Sequence, residues 1–259
     1  MSVQSWSDVK NEELVGISGV CFDIDDTFSS GGKITAEAFN ALWQLKQKGF
    51  VLVPVTGRPA GWCDHIARFW PVDAVVGENG AFTFFMQDGV RKRIDTPMAL
   101  STDEAQKKLS ELQKEIAKEF PQAKWASDQN YREYDLAIDT CEDVPAWDQK
   151  EVKRLIALCH KRGAHAKLSS VHVNTWFGDY DKNKGFTHWL TASNTLKKQQ
   201  WIYLGDSPND EPMFESFDKS VGVANLNSFL SQLKNPPTWI TQKESGAGFV
   251  EVAQRLVSL

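Results

Sequence analysis

The sequence predicts an α/β protein, a parallel-sheet core interrupted by an α+β insertion. Three observations lead there. Apolar runs that read as buried strands alternate with helical patterns in the first third of the chain and again after about residue 178. Between them the pattern switches to apolar–polar alternation with two amphipathic helices. Acidic, hydroxyl and glycine residues follow directly on several of the apolar runs, at the strand ends where open α/β sheets bind ligands.

The elements follow in order. Ile17 to Phe22 is an apolar run that ends in Asp23-Ile24-Asp25-Asp26-Thr27. A helix is expected near 35–48, where Ala38, Leu42 and Leu45 share a face, with Gly49 as its stop. A second strand, 50–55, ends in Thr56-Gly57-Arg58, and Pro59 suits the first turn of the next helix. Asp73 to Val76 reads as a third strand before Glu78-Asn79-Gly80. Phe82–Met86 and Val90–Ile94 flank Gln87-Asp88-Gly89 and predict a hairpin. Ser101 and Glu104 have capping-box spacing before Ala105, Leu109, Leu112 and Ile116. A strand around Leu136 and Ile138, a helix bearing Val152, Leu155 and Cys159, and alternating segments at 164–168 and 171–177 complete the insertion. Lys184-Gly185 opens a helical segment, and strands follow at 201–204 and 220–223. The domains are therefore read as 1–82 with 177–259 for the core and 83–176 for the insertion.

Composition narrows the function classes. With 259 residues there is material for a sizeable core, and 41% hydrophobic with 24% charged residues is ordinary for a water-exposed globular chain. A net charge of −5 offers no general attraction to nucleic acid or anionic membrane. No apolar run approaches the ~20 residues of a membrane span, and Met1 to Asn11 carries no signal-peptide pattern. Cys21, Cys63, Cys141 and Cys159 lack CxxC spacing and read as reduced thiols of a cytoplasmic protein. The five histidines form no zinc-ligand pattern, and the ten scattered tryptophans are expected to be packing residues.

The chemistry-bearing residues lie at the strand ends. Three carboxylates in Asp23-Ile24-Asp25-Asp26 would repel each other unless a cation or proton offsets their charge. Asp23 and Asp25 share one side of an extended strand and can reach one ligand. Gly205-Asp206-Ser207-Pro208-Asn209-Asp210 supplies further acidic groups after a late strand.

Taken in order, Asp23-x-Asp25-x-Thr27, Thr56-Gly57-Arg58, Lys184-Gly185 and Gly205-Asp206-x-x-x-Asp210 resemble the four motifs of the haloacid dehalogenase superfamily of phosphohydrolases, and the resemblance spans nearly the whole chain. It implies a Rossmann-like doubly wound parallel sheet with an inserted α+β cap domain, here matching the IIB branch. That branch includes trehalose-6-phosphate, sucrose-phosphate and mannosyl-3-phosphoglycerate phosphatases. The resemblance implies Asp23 as nucleophile, Asp25 as general acid and then base, and Lys184 as the neutralising cation, with Lys182 as fallback. It implies Mg²⁺ held by the Asp23 carboxylate, the Asp25 backbone carbonyl and Asp206. Asp210, counted with the metal set, and Asn209 would orient metal waters or the lysine. Thr56 and Gly57 would bind phosphate, and Arg58 would contact substrate or brace the loop. Asp26 replaces the glycine usual in the first motif, and aspartate tolerates the backbone angles that position needs.

The expected activity is thus Mg²⁺-dependent hydrolysis of a small phosphorylated sugar or sugar conjugate, with neither nucleic acid nor membrane as partner. Two alternatives stay open: a phosphomutase, since Glu78-Asn79-Gly80 also occurs in phosphomannomutase-like sequences, and a non-catalytic sugar-phosphate sensor.

Overall fold

The computed structural model describes residues 3–259. Its core is a six-stranded sheet, all of whose pairings are parallel. The chain enters through β1 (Gln4–Ser5) and the short α1 (Asn11–Leu14), then runs along β2 (Gly19–Phe22), α2 (Ala36–Gln47) and β3 (Val51–Pro54). After the middle region it returns through α6 (Lys182–Ser193), β11 (Trp201–Gly205), α7 (Glu211–Ser216), β12 (Ser220–Gly222), β13 (Trp239–Ile240) and α8 (Ser245–Val257). The strand order is β1-β13-β12-β11-β2-β3. The chain leaves β2 toward β3 on one side and later lays β11 on the other. The order therefore reverses beside β2, where a crevice for ligands forms.

The helices arise where the sequence placed them. Thr35 caps α2 by accepting from Ala38 N–H, and Gly49, at φ +88°, ends the turn. Buried Ala38, Leu42 and Leu45 carry α2 onto the sheet together with α8. The other face of the sheet is closed by an aromatic group in which Phe186, Trp189, Trp201 and Phe217 make edge or tilted contacts at 5.0–6.0 Å. Trp201 lies over Gly19, where any Cβ would come within 2.4 Å of the indole.

The middle region contains two further sheets. After α3 (Ala60–Phe69), β4 (Val75–Gly77) pairs antiparallel with β5 (Phe82–Gln87), which pairs with β6 (Val90–Asp95). A parallel bridge from Val55 to Val76 continues the core sheet into this one. The hairpin read with the insertion is thus paired to β4, because Phe82 and Phe84 pack against Ile66, Cys63 and Val75 beneath α3.

The second sheet is antiparallel, in the order β7-β8-β10-β9, with β7 (Lys124–Trp125), β8 (Asp135–Asp139), β9 (His165–Leu168) and β10 (His172–Trp176). Helices α4 (Thr102–Glu119) and α5 (Gln149–Lys161) cover one of its faces through Leu109, Leu112, Ile116, Val152, Leu155 and Cys159. Where the chain leaves and rejoins the core, Ala99 and Gly178 form a bridge. No helix among the described residues is long and apolar enough to cross a membrane.

Candidate active site

Asp23 to Thr27 leave the C-terminal end of β2, Thr56 to Arg58 that of β3, and Asp206 to Asp210 that of β11. Parallel register places Leu204 opposite Phe22, and Asp23 N–H donates to the Leu204 carbonyl at 2.9 Å. Residues 183 positions apart thereby converge.

Asp23, Asp206 and Asp210 are buried and offer carboxylate oxygens that all lie within 4.8 Å of one another. Facing them is the buried ammonium of Lys182, 2.6 Å from Asp23 Oδ1, 2.7 Å from Asp210 Oδ1 and 3.4 Å from Asn209 Oδ1. Burial works against that charge, but Asp210 and Asp23 outweigh it and hold the Lys182 pKa above the ordinary lysine value. Burial pushes Asp23 up to about 7; Lys182 opposes the rise, while Asp210 and Asp25 add to it. Asp206 is also raised, by burial and then by repulsion from Asp23 and Asp210. Three carboxylates against one ammonium leave the cluster short of positive charge.

Asp210 is fully occupied by donors. Its Oδ1 accepts from Lys182 and from the Tyr203 hydroxyl, and its Oδ2 from the Asp206 and Ser207 amides at 2.9 and 3.2 Å. Gly205 makes this possible: a Cβ there would sit 2.5 Å from Asp210 Oδ2. Asp206 is held by the Thr27 hydroxyl at 3.0 Å and by Asn225 Nδ2 at 3.4 Å, and keeps oxygen capacity toward Asp23. A set of buried, clustered carboxylate oxygens suits a hard, oxygen-preferring cation such as Mg²⁺. Asp23 and Asp206 are the members with coordination capacity left.

Lys182, rather than Lys184, belongs to this cluster. Lys184 is exposed on α6, with its ammonium on Asp179. Two residues along a helix turn the side chain by roughly 200°, onto the opposite face. Lys182 is in phase with buried Gly185, Phe186 and Trp189, and Lys184 is not. Gly185 packs directly on Gly80, 2.5 Å from Gly80 Cα to a built Cβ, and Gly80, at φ +108°, lies against the Asp181 carbonyl. These two glycines bring the start of α6, and Lys182 with it, down onto the site.

The remaining expected residues surround the cluster. Thr56 is buried, and its Oγ1 accepts from Arg58 N–H at 3.0 Å, leaving the hydroxyl hydrogen free to donate. Gly57 lies against Asn79 and Asn174. Asn209 Oδ1 accepts from the Ser207 hydroxyl at 2.8 Å. The Asp25 carboxylate is held by Arg58 through Nε at 2.9 Å and Nη2 at 2.8 Å. Asp26 adopts φ +54°, which glycine would supply without strain. Burial and then the neighbouring Asp25 raise its pKa.

Several contacts that tie the site to the middle region carry no recognisable sequence signal. Arg58 bridges from Asp25 to Asp128 at 3.2 Å and Glu142 at 2.6 Å, both contributed by the middle region, and stacks over Trp62 at 4.6 Å. His172 Nε2 lies 2.8 Å from Glu142. The nearby His172 and Arg58 side chains hold Glu142 down at about 2, against partial burial. Arg132 donates to the Gly57 carbonyl at 2.8 Å and pairs with buried Asp128 and Asp135. Glu78, beside the core sheet, accepts from the amides of Ala60, Glu133, Tyr134 and Asp135 at 2.6–3.2 Å. The cleft enclosed by Asp23, Asp25, Arg58, Ser169, His172 and Asn174 measures about 10 Å³, the space of roughly one water.

The fold and site are those of an α/β protein with a buried aspartate cluster and one lysine at the switch point of a parallel sheet. Its sequence matches the haloacid dehalogenase-like hydrolase profile over residues 20–120 and 98–252, and the chain belongs to that family. Among solved structures, a protein of Thermoplasma acidophilum superposes with a TM-score of 0.72 at 18% identity, covering 94% of this chain and 99% of that one. The sucrose-phosphatase of Synechocystis, solved with sucrose and phosphate, gives 0.63 at 16% identity, with 92% and 97% covered. A trehalose-6-phosphate phosphatase related protein gives 0.61 at 13%, with 93% and 97% covered. At these identities the likeness is one of fold. No curated protein matches the chain.

Proposed function

We propose that this hydrolase is a Mg²⁺-dependent phosphatase acting on a phosphorylated sugar or sugar conjugate through an aspartyl-phosphate intermediate. The observation that carries the reading is the contact of Lys182 with Asp23 inside the Asp23–Asp206–Asp210 cluster. Asp23 would attack phosphorus, forming an acyl phosphate as the bond to the leaving oxygen breaks. Lys182 lowers the repulsion between that carboxylate and the anionic phosphoryl group. Thr56 Oγ1–H and the Gly57 amide donate to phosphoryl oxygens.

Asp25 gives its proton to the leaving alkoxide, then takes one from the water that cleaves the acyl phosphate. It must first exchange Arg58 for the leaving oxygen. Asp23 and Asp206, with the Asp25 backbone carbonyl, would hold Mg²⁺, and Asp210 and Asn209 would fix the surroundings. Bound there, Mg²⁺ supplies charge neutralisation for the phosphoryl group.

In this reading the middle region is a cap. A cleft of one water's volume admits no sugar, so the four-stranded sheet must lift, breaking Arg58–Glu142, before substrate binds. Recognition of carbohydrate is supported by the sucrose- and trehalose-phosphate relatives of the same fold. Four free cysteines, three of them buried, accord with a reducing cytoplasmic setting. Steady-state phosphate release over sugar phosphates, disaccharide phosphates and nucleotides is the test. Turnover without a bisphosphate activator, highest on a carbohydrate ester, is expected. A preference for nucleotides would overturn the sugar reading, and failure to release phosphate from any ester would overturn the phosphatase.

A further inference from the structure

Beside the catalytic cleft, between α5, β9 and the 226–232 segment of the core, lies a cavity of about 520 Å³. Ser169 lines both spaces, and Pro208 of the cavity adjoins Asn209 of the cleft. The organic part of a phosphoester held in the cleft has room to extend into it past Ser169, and its size falls within the ~300–1,000 Å³ of small-molecule sites. Trp147, Ile156 and Leu168 line it from the middle region and Phe229 from the core, which gives it apolar surface on both sides.

Its charge is one-sided. Lys153, His160 and Lys167 line it, and no aspartate or glutamate does, in a chain with 34 acidic residues and 29 lysines and arginines. Among the described residues neither Lys153 nor Lys167 is ion-paired. Two unpaired ammonium groups lining a largely apolar pocket suit a ligand with an apolar ring face and its own anionic group. Resting on the phosphatase reading, we infer that this cavity binds the leaving group and that the substrate is a phosphomonoester carrying a carboxylate, as in a sugar acid or an acid-bearing sugar conjugate. Ring C–H faces would lie on Trp147 and Phe229, and the carboxylate would meet Lys153 and Lys167.

The test compares kcat/KM for matched esters with and without the carboxylate. Suitable pairs are 6-phosphogluconate against sorbitol 6-phosphate and 3-phosphoglycerate against glycerol 3-phosphate, each with the wild type and the K153Q/K167Q double variant. The carboxylate ester of each pair is expected to be favoured about tenfold or more, the scale of one charge-assisted hydrogen bond. In the double variant the ratio is expected to fall to about one. Because the readout is a ratio within one preparation, a general loss of folding cannot mimic it. Equal or better turnover of the esters that lack the carboxylate, or a ratio the double variant leaves intact, would overturn this inference while the phosphatase stands. No phosphate release from any of the four would overturn both.

Discussion

Lys182→Met removes the one cation inside a cluster of three buried carboxylates while keeping the side chain's length and apolar stem. In the wild type its ammonium is within 2.7 Å of two of them and is almost wholly buried. Breaking a buried ion pair by removing one partner costs about 3–5 kcal/mol, because the surviving charge stays desolvated. For a chain of this size that is a fall in Tm of about 10 °C.

The loss also depends on pH. Burial already raises Asp23 from 3.8 to about 7, so the folded state binds a proton that the unfolded state releases. The stability linked to that proton is complete below pH ~4 and is lost as pH rises through about 7. Removing Lys182 raises Asp23 further, so the Tm deficit of the variant in chelator should widen between pH 5 and pH 8. Phosphate release should fall by about 10²–10³-fold, the usual effect of removing one electrostatic contact to the reacting group. Lys184→Met is the control: its ammonium sits in solvent on Asp179, and both Tm and rate should stay within error of wild type. Melting curves from pH 5 to 8 and a phosphate assay on both variants decide the matter. Equal losses for the two, or a larger loss for Lys184→Met, would refute the assignment of Lys182.

Two further outcomes follow from the same geometry. Asp206→Ala should raise the Mg²⁺ concentration for half-maximal rate about tenfold or more, while full activity of the wild type in excess EDTA would remove the metal from the account. Glu78→Gln should destabilise by about 2–3 kcal/mol, read from denaturant unfolding, because both carboxylate oxygens accept backbone N–H groups and an amide NH₂ must turn toward some of them; a change under about 0.5 kcal/mol would show that the contact does not hold the middle region to the core.

The core was legible because each βα unit writes its period into the sequence. Strand runs ending in Asp23, Thr56 and Asp206 fixed which residues meet, since parallel neighbours in register deliver their C-terminal ends to one edge. The choice between Lys182 and Lys184 failed on motif spacing, but the helical phase of Gly185, Phe186 and Trp189 carries the answer. Aspartate tolerates the backbone angles of the glycine position, and Asp26 takes it at φ +54°. The ties across to the middle region were not legible. Arg58 meets Glu142 across 84 residues and Glu78 meets the 133–135 amides across some 55, and neither contact leaves a periodic trace. The short pairing of β1 with β13 went unseen for the same reason: two residues are too few to show alternation.

The central claim is that Asp23 becomes covalently phosphorylated. A rapid acid quench of the enzyme with ³²P-labelled substrate, followed by digestion, should place the label on the peptide that contains Asp23. In Asp23→Asn the label should vanish and turnover should fall by roughly 10³-fold or more. Label on another residue, or more than a tenth of wild-type turnover in Asp23→Asn, would contradict the account.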